Sequence, residues 1–147
     1  TFYFRFYLTR AMIKVGLGDL YYSQLTPWRN MLKIGLTTFA ENPEPTRSDC
    51  HGWSASPEYD FLATICGITP LQPGFKSVKI EPHLGELQHV KASMPYREQG
   101  QEIKVELQRK GQSGINAEIT LPENIDGKFI WQGKTILLHP GEQTINL

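Results

Sequence analysis

The spacing of apolar residues changes half-way along the chain, from a helical period to a strand period. In the first half, apolar side chains recur every three or four residues, which predicts a first amphipathic helix. Its apolar face contains Phe4, Leu8, Ala11 and Val15. Gly16 and Gly18 end this helix, and Asp19 is expected to cap the short helical piece that follows.

Two further helices are predicted from their start signals. A Thr or Ser followed by Pro is typical of a helix N-terminus, because Pro lacks an N–H group and its φ angle suits the first turn. Thr26-Pro27 therefore begins a helix that runs to about Lys33, with Thr26 as its cap. Ser56-Pro57 begins another that continues to Cys66 and is apolar almost all round, which is typical of a helix buried on several sides.

From residue 76 onward, apolar and polar residues alternate strictly, as they do in half-buried β-strands. The predicted strands are centred on residues 78–80, 90–94, 103–107, 115–121, 129–131, 136–138 and 144–147. Glycines separate most of them, at positions 100, 111, 114, 127, 133 and 141. Six or seven short strands at this spacing predict an antiparallel β-sandwich with one solvated face per sheet.

The predicted fold class is therefore α+β with segregated domains. Helices occupy residues 1–70, an antiparallel β-sandwich occupies residues 71–147, and the boundary lies near Leu71. Three or four helices with so much apolar surface cannot bury it against each other and one small sandwich. We therefore interpret residues 1–70 as the C-terminal end of a larger, incomplete helical domain.

Net charge, the length of apolar runs and cysteine spacing narrow the classes of partner that the chain could bind. Lys plus Arg and Asp plus Glu each number 15, so the formal net charge is 0, which argues against nucleic acid or an anionic membrane as the main partner. No apolar run approaches the roughly 20 residues that a membrane helix needs. The two cysteines lack the spacing of a zinc site, Cys66 is expected in the core, and we predict neither a metal nor a cofactor.

The loop between the second and third predicted helices is unusually rich in ionisable and aromatic side chains. It reads TTFAENPEPTRSDCHGWSASPEY, from residue 37 to residue 59. Carboxylates beside aromatic rings suit carbohydrate chemistry, because rings stack on sugar faces and acids bind hydroxyls or move protons. The residues alone leave other readings open: a solvated charged loop, a structural role for His51, a core position for Trp53, and turn bonds for Asp49.

A family resemblance covers nearly the whole chain and is most specific over residues 27–85, which include this loop. The motifs are Pro27-Trp28-Arg29, Gly35-Leu36-Thr37-Thr38-Phe39-Ala40-Glu41, PTRSDCHGWSASP at 45–57, Gly67-Ile68, Pro73-Gly74-Phe75 and Ile80-Glu81-Pro82. Together they resemble the end of the catalytic domain of bacterial α-L-rhamnosidases, glycoside hydrolase family 78, and the domain that follows it. The resemblance implies the last helices of an (α/α)6 toroid, the six-hairpin glycosidase fold, followed by a C-terminal β-sandwich.

The resemblance also implies roles for Glu41 and His51. Glu41 ends a Gly-x-Thr-Thr-x-x-Glu segment and would be the general base of an inverting mechanism. Many members of the family have Trp where this chain has Ala40. His51 resembles a sugar-pocket histidine of the family, although the segment between Glu41 and His51 is shorter here. Trp53 is a candidate to stack on the sugar.

The function implied is hydrolysis of terminal α-L-rhamnosyl residues from glycosides or polysaccharides. The partners would be a rhamnose-containing glycan and the upstream part of the catalytic domain, which supplies the general acid, so the chain alone is expected to be inactive. The sequence leaves the compartment open, with the bacterial cytoplasm and the periplasm as the two expected alternatives. Two alternatives stay open: another six-hairpin glycosidase, and a non-catalytic carbohydrate-binding or structural module at residues 71–147.

Overall fold

The computed structural model describes residues 1–97 and 100–147. Within this described part, the first half contains three α-helices, named α1 (Phe4–Lys14), α2 (Thr26–Lys33) and α3 (Ser56–Asp60). The third continues as a π-helical turn over Phe61–Ile65, so helical backbone ends one residue before the predicted Cys66. Short 3₁₀ turns lie at Gly18–Leu20, Tyr22–Leu25 and Gly52–Ser54. The predicted helices are therefore confirmed.

Two predicted helix caps are wrong. Thr26 lies inside α2 rather than before it, and its hydroxyl donates to the carbonyl of Ser23 at 3.2 Å. The Asp19 carboxylate Oδ1 does not cap its own turn but accepts a hydrogen bond from the backbone N–H of Gly85 at 3.0 Å. Because Gly85 is far away in sequence, local start signals could not reveal this tertiary contact. Asp19 instead joins the helical segment to the loop before the third strand.

The strands are eight in the described part of the chain and form two four-stranded sheets. They are β1 (Ile68–Pro70), β2 (Ser77–Ile80), β3 (His89–Pro95), β4 (Glu102–Lys110), β5 (Gly114–Leu121), β6 (Asp126–Trp131), β7 (Lys134–Leu138) and β8 (Gly141–Asn146). One sheet has the order β3-β4-β5-β8 and is antiparallel throughout. The other has the order β1-β2-β6-β7.

The second sheet departs from the antiparallel prediction at one pair. Strands β2 and β6 run parallel, with Val78 opposite Gly127 and Ile80 opposite Phe129. A parallel pair needs a long connection, and here the chain passes through β3, β4 and β5 of the other sheet before it returns. Alternation of side chains predicts which face of a strand is buried but not the direction of its neighbour, so the sequence pattern missed this pair.

Strand β1 was also not predicted. It has only three residues, lies at the edge of its sheet, and pairs with β2 through Ile68 opposite Ile80. Pro70 is tolerated there because an edge strand has one side without ladder bonds. The strand begins just before the expected boundary at Leu71, directly after the π-helical turn.

The core lies between the two sheets and continues beneath the helices. On β4 the side chains of Ile103, Val105 and Leu107 are buried, and on β2 and β6 so are Ile80 and Phe129. These positions follow the predicted alternation. The same contiguous cluster extends into the helical segment, where its members include Phe2, Tyr21, Leu25, Trp28 and Met31.

The helical segment keeps much apolar surface exposed. On the predicted apolar face of α1, Phe4 is 63% exposed and Val15 is 69% exposed, and Leu8 is also exposed. Within the described residues, the large exposed apolar side chains all precede residue 66 except for Leu71 and Leu137. Apolar surface concentrated on one part of a chain is typical of an interaction face. This distribution supports the hypothesis of further partner surface for the helices.

The parallel β2–β6 pair gives a stability prediction. A Cβ at Gly127 would lie 2.1 Å from the carbonyl oxygen of Val78, so the two strands could not keep their present separation. We expect Gly127→Ala to lower the free energy of unfolding by about 3 kcal/mol, the upper end of the cost of overpacking. The midpoint of urea denaturation measures this loss.

The matched control is Gly52→Ala, because a Cβ at Gly52 meets no atom within 4 Å. It should change the free energy of unfolding by no more than about 0.5 kcal/mol. Equal midpoints for the Gly127 and Gly52 variants would contradict the close strand approach.

Candidate functional site

The candidate loop between α2 and α3 is tied across itself by backbone hydrogen bonds. The N–H of Glu41 donates to the carbonyl of Ser48 at 2.8 Å, and the N–H of His51 donates to the carbonyl of Phe39 at 2.7 Å. The carbonyl of Glu41 accepts from the N–H of Phe2 at 3.1 Å, just before α1. The loop therefore has a defined course, although it contains no long regular element.

Glu41 is buried and paired with one arginine. Its side chain is 6% exposed, whereas that of its partner Arg47 is 82% exposed. The Nε of Arg47 donates to Oε2 of Glu41 at 2.9 Å, and Nη2 of the same guanidinium donates to Oε1. The guanidinium thus donates to both carboxylate oxygens, which is the bidentate geometry that guanidinium groups favour.

The charges around Glu41 keep it ionised. The hydrogen bond from Arg47 lowers the pKa of the Glu41 carboxyl, and the charges of Arg47 and His51 act in the same direction. Burial acts against them, because desolvation disfavours the charged form, but it does not reverse the result. Glu41 is therefore a carboxylate at neutral pH, as the sequence-based hypothesis of a general base requires.

His51 and Trp53 lie in the last part of the loop, shortly before α3. The ring centroids of His51 and Trp53 are 6.4 Å apart, and the Trp53 ring lies 5.1 Å from that of Tyr3. Trp53 is 71% exposed, so it lies outside the core of the described residues. His51 is half-buried and faces Glu41 closely enough for its charge to affect the Glu41 pKa. Their binding roles stay predictions.

Trp28, not Trp53, is the buried tryptophan that supports the loop. Its indole N–H donates to the carbonyl of Ser54 at 2.7 Å, and its ring packs 5.5 Å from that of Phe2. The guanidinium of Arg5 lies 5.8 Å from the same ring. Trp28 thereby joins α2 to the 3₁₀ turn that carries Trp53.

A second buried carboxylate lies at the end of α3. Asp60 is fully buried, and its Oδ1 accepts from the guanidinium of Arg10 and from the Thr64 hydroxyl, the latter at 2.6 Å. Burial raises the pKa of Asp60, although these two partners oppose the change. Burial and the Asp60 charge also raise the pKa of the nearby Tyr21 hydroxyl.

Sequence reasoning did not find the Asp60 cluster. Arg10 and Asp60 are 50 residues apart, so no local spacing joins them. One signal was present, because an Asp within an otherwise apolar helix must find a partner when it is buried. Other acids of the loop differ from it: Glu44, Asp49 and Glu58 are exposed, which fits a solvated role.

The described part of the chain offers neither a cluster of metal-ligating side chains nor a helix suited to a membrane. Across residues 1–97 and 100–147, no three His, Cys, Asp or Glu side chains converge as they would around a metal ion. In the same part of the chain, no helix combines the length and the apolar character needed to cross a membrane. Cys50 is exposed, whereas Cys66 is buried as predicted, and burial raises the pKa of its thiol to about 11.

Solved structures define the fold class to which this arrangement is similar. A native α-L-rhamnosidase from Aspergillus terreus matches 95% of the chain with a TM-score of 0.79 and 21% identity. An α-L-rhamnosidase from Streptomyces avermitilis, complexed with L-rhamnose, matches 95% with a TM-score of 0.78 and 19% identity. A GH78 family rhamnosidase from Bacillus sp. GL1 matches 88% with a TM-score of 0.75 and 26% identity. The matched regions are 18%, 17% and 15% of those chains.

The family comparison agrees with these structures. Residues 67–135 match the model described as the bacterial alpha-L-rhamnosidase C-terminal domain. The resemblance to bacterial α-L-rhamnosidases is therefore confirmed, and this segment is similar to their C-terminal domain. Among curated proteins, none matches the chain.

The Arg10–Asp60 pair gives a second prediction. In Arg10→Met, Asp60 would stay buried without its cation, which we expect to cost roughly 3–5 kcal/mol of unfolding free energy at neutral pH. A buried acid with a raised pKa binds protons more readily in the folded state, so acidification should reduce the loss. Urea denaturation of parent and variant at about pH 7 and about pH 5 measures both effects.

Lys14→Met is the control, because Lys14 is exposed in the last turn of the same helix. Its stability should match that of the parent within about 0.5 kcal/mol. If the loss of unfolding free energy in Arg10→Met increased on acidification, Asp60 would not be the buried charge that the substitution leaves without a partner.

Proposed function

We propose that the chain forms part of an inverting α-L-rhamnosidase that removes terminal α-L-rhamnosyl residues from glycosides or polysaccharides. The observation that carries this proposal is the Glu41 carboxylate, held ionised in the loop whose residues resemble the family's general-base segment. The fold likeness to solved rhamnosidases supports it, and one of those structures is complexed with L-rhamnose.

The proposed mechanism uses two carboxyl groups on opposite faces of the sugar. Glu41 removes a proton from a water molecule while the water oxygen forms a bond to the anomeric carbon. The bond to the leaving oxygen breaks as a general acid protonates that oxygen, and the anomeric configuration inverts. The two carboxyl groups must stand roughly 6.5–9.5 Å apart to make room for the water. Glu41 can take up the proton because it is ionised beforehand.

The general acid is proposed to come from the upstream part of the catalytic domain. In this proposal α1, α2 and α3 are the last helices of an (α/α)6 toroid, and residues 71–147 form the following β-sandwich domain. The exposed apolar side chains of α1 support a contact with preceding helices. So does a mostly apolar groove of about 450 Å³, lined in part by Leu32, Phe39 and Phe61.

The sugar is proposed to bind on the side of the loop that carries His51 and Trp53. A half-buried imidazole next to an exposed indole offers a hydrogen-bonding group and a flat apolar surface in one place. Pyranose rings bind such pairs because their C–H faces stack on aromatic rings while their hydroxyls need polar partners. Tyr3 packs beside Trp53 and extends the aromatic surface.

The general-base assignment is tested by Glu41→Gln in the full-length protein that contains this chain. Gln cannot accept the proton of the attacking water, so kcat on an aryl α-L-rhamnoside should fall by roughly 100- to 10,000-fold. The steady-state rate at saturating substrate is the measurement, and added azide should restore turnover with a product of one defined anomer. Near-parental kcat would remove Glu41 from the mechanism.

The matched control is Glu44→Gln, three residues further along the same loop. Glu44 is exposed, and its carboxylate contacts only the Thr46 N–H at 3.4 Å among the described residues. Its kcat should stay within about twofold of the parent, because loss of so weak a surface contact changes free energies by no more than about 0.5 kcal/mol. A panel of other aryl glycosides, given to the same parent protein, tests whether rhamnose is the preferred sugar.

The stacking role of Trp53 gives a separate prediction. Trp53→Ala should raise KM about 10-fold, because loss of one stacked ring costs about 1 kcal/mol or more of binding, while kcat changes little. The melting temperature should stay close to that of the parent, since the ring is mostly exposed. An unchanged KM would exclude Trp53 from the sugar site.

A further inference from the structure

Arg47 reaches Glu41 across a small loop that is closed at its base. The N–H of Glu41 donates to the carbonyl of Ser48 at 2.8 Å, immediately after Arg47. The Thr46 hydroxyl donates to the same carbonyl at 3.0 Å. Pro43 and Pro45 restrict the backbone between these points. The loop therefore holds the arginine side chain opposite the carboxylate, although the side chain itself is mostly exposed.

The two-point contact fixes the carboxylate in orientation as well as in position. A single hydrogen bond would let the Glu41 carboxylate rotate, whereas bonds from Nε to Oε2 and from Nη2 to Oε1 define its plane. A carboxylate has about four acceptor sites, so this fork leaves about two of them free. A water molecule can therefore still bind to the carboxylate while Arg47 holds it.

We infer that Arg47 is the positioning residue of the Glu41 carboxylate: it holds the plane of the general base and keeps the base in its proton-accepting form. The inference rests on the proposed function of Glu41 and deepens it. Arg47 does not touch the substrate in this account. It acts only through Glu41, and its own charge is open to solvent on the outer side.

The charged groups that face Glu41 determine how its pKa would change if Arg47 were removed. They are the guanidinium of Arg47 and the imidazole of His51, and the hydrogen bond from Arg47 is the largest of the causes that lower the pKa of Glu41. Burial of the carboxylate acts in the opposite direction. Without Arg47, the pKa of Glu41 should therefore rise, and the base would become protonated at a higher pH.

A purely structural role for Arg47 would have different consequences. If the arginine only stabilised the loop, its removal would lower the melting temperature or the fraction of folded enzyme. It would not move the pH at which the remaining enzyme loses activity. The acid limb of kcat/KM against pH reports the ionisation of the base in the free enzyme, so it separates the two roles.

The experiment compares Arg47→Gln, Arg47→Lys and the parent in the full-length protein, with an aryl α-L-rhamnoside as substrate. We expect Arg47→Gln to lower kcat roughly 100-fold, because a misplaced catalytic group costs about that much. Its acid limb should move to higher pH. Arg47→Lys keeps a positive charge but not the fork, so its acid limb should lie closer to that of the parent while kcat stays low.

Asp49→Asn is the matched control, since Asp49 is an exposed acid two residues away. Its acid limb and kcat should equal those of the parent. An unmoved acid limb in folded Arg47→Gln would overturn the inference even if kcat fell. Parental kcat in Arg47→Lys would overturn it too, and that variant decides the matter if Arg47→Gln does not fold.

The result for Glu41→Gln separates this inference from the proposed function. If Glu41→Gln loses turnover but Arg47→Gln keeps the parental acid limb, the general base stands and the role of Arg47 fails. If Glu41→Gln keeps full turnover, the proposed function fails, and the inference about Arg47 fails with it.

Discussion

The direct passage from the last helical turn into the first strand is the constraint on which the rest of the structure depends. Gly67 makes this passage with a φ angle of +73°, and a Cβ there would lie 2.1 Å from the carbonyl carbon of Glu81. The carbonyl of Gly67 also accepts a hydrogen bond from the N–H of Glu81 at 3.1 Å. Helices and sheet therefore cannot slide past each other without breaking the β1–β2 pairing, and they share one buried core.

This fixed junction gives the candidate loop two stable ends. Trp28 holds the end of the loop near α3 through its bond to Ser54, while Asp60 of α3 is joined to Arg10 of α1. An irregular loop has no ladder of its own, so contacts with rigid elements must set its position. The buried ion pair costs desolvation energy, and it joins α1 to α3 at one defined contact. The general-base hypothesis needs this rigidity, because a base that moves loses its alignment with water and sugar.

The sequence pattern predicted the buried faces well and the long-range pairings poorly. Ile103, Val105 and Leu107 alternate with polar residues because one face of their sheet contacts the core. This alternation does not depend on which strand pairs with theirs or in which direction that strand runs. The parallel β2–β6 pair, the three-residue β1 and the Arg10–Asp60 pair each join segments far apart in sequence, and no local period encodes such a contact.

The candidate site was predictable in part for a related reason. Glu41 and His51 were identified through a family resemblance and Trp53 from its aromatic side chain, since composition alone did not distinguish between the acids of the loop. Burial and ion pairing now distinguish these acids, because among the acids of residues 37–49 only Glu41 is buried. Its arginine partner lay in the same loop all along, but a charged residue in a polar loop is usually solvated, so nothing singled it out.

The two buried carboxylates illustrate why burial alone does not define an active site. Asp60 has a raised pKa, which is a property that general acids share, yet its side chain has no exposure through which to meet a leaving group. Glu41 is almost as buried, but its partner Arg47 lies at the surface and lowers the pKa of the Glu41 carboxyl. A proton-transferring group needs both a suited pKa and a path to the reacting atoms. Of these two acids, only Glu41 has a lowered pKa and a partner that lies mostly exposed at the surface.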